Sequence, residues 1–258
     1  MNSNKEYIPD CLFPSDNELE VPALLPDVQP EFCEIPFVCW GETARTFQMN
    51  GHGTLHFYTD DYRFSAVFEH PEKILQMSPA NIVEPNFSLY AETPVAFGLQ
   101  QIYKKRLVAR SMQERGIGVF VDLNVNSKYY KLNMLGVPPG WRAYCTRGYG
   151  NRMAYLEFEH ALAKSWAGDN ADRMLFVIYG GGNPAKEFAR KNRCVYVEML
   201  VNVKNKMRSL EHHLSKIQET IAFPDEDVRA IVSKNADIKQ LYDFSQLNKD
   251  ENTDDGGI

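Results

Sequence analysis

One unit recurs along this chain and constrains the fold more than any other feature. A short apolar strand runs into a cluster of polar or glycine residues, and a helix carries the chain back. The unit is read at Thr54–Tyr58 into Asp60-Asp61 and at Asn81–Val83 into Glu84-Pro85-Asn86. It returns at Val119–Val121 into Asp122 and Asn124, at Arg142–Cys145 into Thr146-Arg147-Gly148, and at Leu175–Ile178 into Tyr179-Gly180-Gly181-Gly182. A sixth strand is expected over Val195–Val201. Repeated βα units predict an α/β fold with a mostly parallel sheet, whose strand C-terminal ends share one face. Polar residues spread over five successive strand ends favour a barrel or partial barrel over an open doubly wound sheet, in which ligands gather at one crevice.

The same spacing predicts the helices. Thr93 as N-cap, Pro94 at the first position and Gly116 just past the end bracket a helix over 94–115. Further helices are expected over 151–166 and 184–191, the latter opened by Asn183 and Pro184, and over 204–221. Residues 1–40 carry six prolines and little periodicity, which predicts an extended arm packing on the core through residues such as Leu24, Leu25, Phe32, Ile35, Phe37 and Trp40. A single α/β domain is expected over 41–223, a short helical extension over 224–248 and a disordered acidic tail over 249–258.

Composition narrows the setting. No apolar run approaches the roughly 20 residues that span a bilayer, and the polar Met1–Asp10 carries no apolar signal region, so a cytoplasmic location is expected. Five cysteines with no CxxC pair fit reduced thiols. The net charge of -6 hides an asymmetry: residues 41–223 hold 23 basic and 17 acidic side chains. A mildly basic body is compatible with an anionic substrate such as a nucleotide or nucleic acid, and equally with ordinary solvated charge.

Several strings together resemble the family described as domain of unknown function 4417, from bacterial phages, plasmids and integrated elements. They are Phe57-Tyr58-Thr59-Asp60-Asp61-Tyr62-Arg63-Phe64, Pro85-Asn86-Phe87-Ser88-Leu89-Tyr90, Tyr103 with Arg106, and the strand ending Tyr179-Gly180. The resemblance covers somewhat over half the chain and implies a mobile-element context without an activity. The family pattern commonly has aspartate where this chain has Asn86.

The strand ends supply the candidate site. Asp60, Asp61, Glu84 and Asp122 are the expected catalytic carboxylates, since carboxylates from separate strands can act as acid and base or bind a metal. Asp60 and Asp61 are the expected metal ligands, with Mg²⁺ or Mn²⁺ suited to oxygen donors. Either could instead cap the helix that follows. Asn86, Asn124, Arg147, Tyr179, Gly180, Gly181, Gly182 and Asn183 are the expected substrate or anion contacts, because glycine-rich βα turns and helix N-termini present N–H groups to anions. Lys104, Lys105, Arg106 and Arg110, on one helix, and the pair Tyr129-Tyr130 are the expected nucleic-acid contacts; the helix could instead pack one side on the sheet with its basic residues solvating the other, and the tyrosine pair could pack on the core.

These residues point to an enzyme acting on a nucleotide or nucleic acid through a carboxylate-lined site. The alternative is a non-enzymatic module that binds DNA or a protein partner.

Overall fold

Alternating strands and helices here produce the expected sheet. In a computed structural model, residues 13–41 and 48–199 are described. The chain divides into two units, residues 1–196 and 197–258; of the second only 197–199 are described. The helix expected over 204–221, the extension over 224–248 and the tail over 249–258 lie outside the described residues.

Seven strands form one sheet in sequence order: β1 (Phe37–Cys39), β2 (Thr54–His56), β3 (Asn81–Val83), β4 (Gly118–Asp122), β5 (Ala143–Arg147), β6 (Leu175–Tyr179) and β7 (Val195–Val197). The pairings from β1 to β6 are all parallel. The helices between them are α1 (Asp61–Phe64), α2 (Glu72–Leu75), α3 (Val95–Gln113), α4 (Tyr130–Asn133), α5 (Met153–Ala167) and α6 (Gly182–Asn192). No helix among the described residues is long and apolar enough to cross a membrane.

The sheet curls into a nearly closed barrel. Phe37 on β1 and Tyr179 on β6 are five strand positions apart, which in a flat sheet separates them by roughly 24 Å at the usual strand spacing. Their ring centroids are 5.5 Å apart. Register and two-residue alternation define the inner face. Phe37 pairs with Thr54, Cys39 with His56, Val83 with Phe120, Asp122 with Cys145, Cys145 with Val177 and Arg147 with Tyr179. Side chains fill this interior, so it is a packed core. Val38, Leu55, Ile82, Val119, Tyr144 and Phe176 take the opposite, helix-covered face.

Of the proline-rich segment, residues 13–40 are described, and its end belongs to the sheet. Residues 37–39 are β1, an edge strand that the proline content of the segment concealed. Val21 and Leu24 are buried, whereas Phe32 and Ile35 are exposed. Gln113 on α3 grips the arm: its Oε1 accepts from the Leu25 N–H at 2.8 Å, and its Nε2 donates to the carbonyls of Leu25 and Val28 at 2.9 and 2.7 Å.

Candidate ligand-binding site at the strand C-terminal ends

The strand ends open into a cavity of about 1370 Å³. Tyr58, Asp60 and Asp61 line it beyond β2, Asn86 and Ser88 beyond β3, and Asn124 and Asn126 beyond β4. Arg147, Tyr149, Arg152 and Glu159 complete the β5–α5 side.

Asp122 organises the floor without reaching the cavity. It is fully buried at the end of β4. Its Oδ1 accepts from the Tyr58 hydroxyl at 3.0 Å and the Asn124 N–H at 3.1 Å, and its Oδ2 accepts from Asn86 Nδ2 at 2.7 Å. All three donors belong to lining residues, so Asp122 positions groups that face a ligand. Asn86 Nδ2 also donates to the Asn124 carbonyl at 2.9 Å, and Asn124 Nδ2 donates to Asn86 Oδ1 at 3.3 Å, which keeps the two asparagines in register. Burial pushes the Tyr58 hydroxyl well above its ordinary pKa, and the nearby Cys145 and Asp122 add to the shift.

Glu84 follows β3 by one residue and therefore falls on the helix-covered face. It pairs with Arg106 and lies 3.7 Å from Lys105 Nζ, and its Oε2 accepts from the Asp122 N–H at 3.1 Å. Lys105 thus holds Glu84 and Asp122 side by side, but neither is among the lining residues, so of the four expected carboxylates only Asp60 and Asp61 reach the cavity.

The expected basic surface on α3 is corrected for the same reason. Lys105 and Arg106 are 1% and 0% exposed, and both neutralise buried carboxylates. Arg106 also donates to the carbonyls of Leu135 and Asn133 at 3.1 and 2.6 Å. Arg110 is buried and donates to the Ala23 carbonyl of the arm at 2.6 Å. Lys104 is half-buried with its ammonium over the Phe68 ring at 5.2 Å. Tyr129 and Tyr130 are buried as well. The Tyr129 hydroxyl donates to the Thr93 carbonyl, and the Tyr130 ring stacks on Phe158 at 4.6 Å. None of these buried side chains is available to a phosphate or a base.

Asp60 and Asp61 separate in role. Asp61 accepts from the N–H and the hydroxyl of Ser88, both at 2.9 Å, tying the loop after β3 to the start of α1. Asp60 occupies the N-cap position of α1 but makes no side-chain cap bond there. It is exposed on the cavity edge. Among the described residues no group of three or more His, Cys, Asp or Glu side chains could hold a metal ion.

The glycine turn after β6 is a packing device. A Cβ on Gly148 would stand 2.5 Å from the Gly180 carbonyl, and one on Gly181 2.8 Å from the Gly148 backbone. Small residues thus let the β5 and β6 turns touch, and Gly180–Gly182 are not among the lining residues. Tyr179 points inward, its ring 4.3 Å from His56 and 5.8 Å from Tyr58. Asn183 lies inside α6, which starts two residues earlier than expected with Gly181 as its cap.

One wall of the cavity carries arginines. Arg147, half-buried at the end of β5, and Arg152, exposed before α5, place their guanidinium carbons 5.5 and 5.6 Å from the Tyr149 ring centroid. Neither guanidinium has a carboxylate partner among the described residues. His56 beneath them stays neutral: desolvation first, and then the Arg147 charge, lowers its pKa to about 3. Its Nδ1 accepts from the Tyr58 N–H at 3.3 Å, which leaves the proton on an Nε2 without a hydrogen-bond partner.

Glu159 is the site residue that the strand-end pattern missed. It lies on α5, 4% exposed, and lines the cavity. Thr146 donates to its Oε2 at 2.7 Å and the Tyr130 hydroxyl lies 3.4 Å from its Oε1. Unlike Glu84 and Asp122, it has no cation partner among the described residues. Desolvation by burial, opposed by the Thr146 hydrogen bond and reinforced by the Asp122 charge, raises its pKa to about 8. A signal existed in the sequence: Leu156, Glu159, Ala163 and Ala167 form one buried helical stripe, in which a carboxyl is out of place.

Fold and site define an α/β barrel-like protein with a polar cavity at the strand C-terminal ends. The chain belongs to the family described as "Domain of unknown function (DUF4417)", whose model matches residues 13–151. It is similar to the Gene 1 protein of Mycobacterium phage D29, 32% identical over 110 residues, which are 42% of this chain and 40% of that protein. It is also similar to the Gene 1 protein of Mycobacterium phage L5, 32% identical over 112 residues, 42% of this chain and 47% of that protein. The chain thus spans under half the length of these curated relatives. No solved structure matches.

Proposed function

We propose that the cavity binds a phosphorylated ligand, a nucleotide or a residue of nucleic acid, with its phosphate against Arg147 and Arg152. The observation that carries this reading is the pair of cavity-lining guanidinium groups that have no carboxylate partner among the described residues. Arginine forks match phosphate oxygens in pairs, and a half-buried guanidinium loses water that a bound anion replaces. The Asn124 amide retains one N–H donor and its Oδ1 acceptor, and Asn86, whose two N–H groups are spent, retains acceptor capacity on Oδ1, which suits a base edge or sugar hydroxyls. The similarity to phage proteins accords with a mobile-element setting for such a ligand.

Thermal melts of the full chain with mono-, di- and triphosphate nucleotides test the reading. A ligand present at 100 times its Kd stabilises by about 2.7 kcal/mol, a readily measured rise. Arg147→Ala with Arg152→Ala abolishes that rise. Absence of any nucleotide-dependent shift in the unmodified protein refutes the reading.

Glu159 favours a second reading, catalysis on that ligand. A buried carboxyl kept protonated near neutrality is equipped to donate a proton to a leaving group or base nitrogen. Glu159→Gln then binds nucleotide normally and loses turnover; equal turnover in the variant removes Glu159 from the chemistry.

A further inference from the structure

The rim of the same cavity is aromatic to a degree that phosphate binding does not explain. Tyr62 on α1, Tyr90 in the loop before α3, Phe97 on α3 and Tyr155 on α5 are 73%, 65%, 62% and 46% exposed, and all four line the opening. They are four of the nine large hydrophobic side chains exposed among the described residues. Leaving a large ring in water forgoes about 1.5 to 3 kcal/mol of burial. Rings gathered at one opening from four separate segments therefore mark a surface that becomes covered.

We infer that the occupant is a single strand of nucleic acid, which enters one residue into the cavity and stacks its neighbouring bases on Tyr62, Tyr90, Phe97 and Tyr155. This rests on the phosphate reading above and narrows it from a free nucleotide to a polymer.

Size favours the strand. The cavity of about 1370 Å³ exceeds the roughly 300–1,000 Å³ typical of small-ligand pockets, and a lone nucleotide leaves its rim uncovered. Chemistry favours it as well. Arg147 and Arg152 supply the phosphate contacts, while every base offers a π-face to the rings whatever the sequence. A duplex is disfavoured by shape, because its bases are read by an element projecting into a groove, whereas this site is concave. The basic residues Lys105, Arg106 and Arg110, which could have tracked duplex phosphates, are consumed by internal contacts.

Fluorescence anisotropy on the full chain tests the inference with four probes at one salt concentration. These are a labelled 12-nucleotide DNA strand, the RNA strand of the same sequence, the 12-base-pair DNA duplex and a labelled mononucleotide. At least one single strand is expected to bind tenfold or more tighter than the mononucleotide and the duplex. The DNA and RNA arms show which sugar is accepted. Replacing Tyr90 and Phe97 together by alanine is expected to weaken strand binding by about 5- to 160-fold for each stacked base lost. Both rings are exposed, so the melting temperature serves as a control for folding. Equal affinity for strand and mononucleotide, duplex binding as tight as the strand, or an unweakened double variant overturns the inference and leaves the phosphate reading standing. Failure of every probe overturns both.

Discussion

The ammonium of Lys105 lies 2.9 Å from the main-chain carbonyl of Asp122 and 3.5 Å from its carboxylate, in a region closed to solvent. Lys105 also neutralises Glu84, so a helix cation is the link between the ends of β3 and β4. That link fixes Asp122, and Asp122 in turn holds Tyr58, Asn86 and Asn124 on the cavity floor. A cluster that would suggest chemistry in sequence is thus a scaffold one layer beneath the site.

Lys105→Met should destabilise the protein by about 3 to 5 kcal/mol, because it leaves a buried carboxylate without its counter-ion. Lys104→Met, on the neighbouring half-buried position, should change stability by less than about 1 kcal/mol. Urea unfolding of both variants makes the comparison. Equal effects would show that the buried pairing contributes little.

Glu159 makes stability depend on pH in a defined direction. Its folded pKa of about 8 exceeds the ordinary 4.5, so the folded state holds a proton that the unfolded chain releases between those values. Its contribution is fully present below pH 4.5 and is lost as pH rises through 8. The total is bounded at about 5 kcal/mol by the conversion of pKa shift to free energy. Glu159→Gln should match the unmodified protein near pH 4.5 and exceed its stability near pH 9. Parallel pH profiles for the two proteins would contradict the raised pKa.

Gly98 in α3 allows Tyr129 to pack. A Cβ there would overlap the Tyr129 ring, whose hydroxyl is bonded to the Thr93 carbonyl. Alanine gains about 1 kcal/mol in helix propensity, while overpacking costs about 1 to 3 kcal/mol. Gly98→Ala is therefore expected to be net destabilising in a thermal melt. A stabilised variant would show that Tyr129 moves freely.

Gln113→Ala removes the three hydrogen bonds that hold the arm at Leu25 and Val28. A loss of about 1 to 3 kcal/mol is expected, with faster limited proteolysis within residues 20–30 than elsewhere. Uniform cleavage would mean the arm is held by its apolar contacts alone.

The strand-to-polar-cluster repeat made the sheet and its cavity-bearing edge legible, because βα units carry their period locally. β1 is hidden in the sequence, since a three-residue strand directly after Pro36 has no period to detect. The four carboxylates were legible as strand-end residues, but not their facing. Glu84 turns to the helices because it stands one residue beyond Val83, a matter of register between strands. The basic flank of α3 misled for a related reason: Glu84 and Asp122, which neutralise Arg106 and Lys105, are 22 and 17 residues away. Arg147 was legible as a strand-end cation. Glu159 sits on a helix, away from the strand ends, where its place in a buried stripe is its one signal in the sequence.

The most direct test of the account is where a nucleotide attaches. A photoreactive nucleotide, irradiated with the full chain and mapped by mass spectrometry, should label residues 147–159, with labelling reduced by excess unmodified nucleotide and by Arg147→Ala with Arg152→Ala. Labelling confined to segments away from the cavity, or unaffected by competitor, would contradict it.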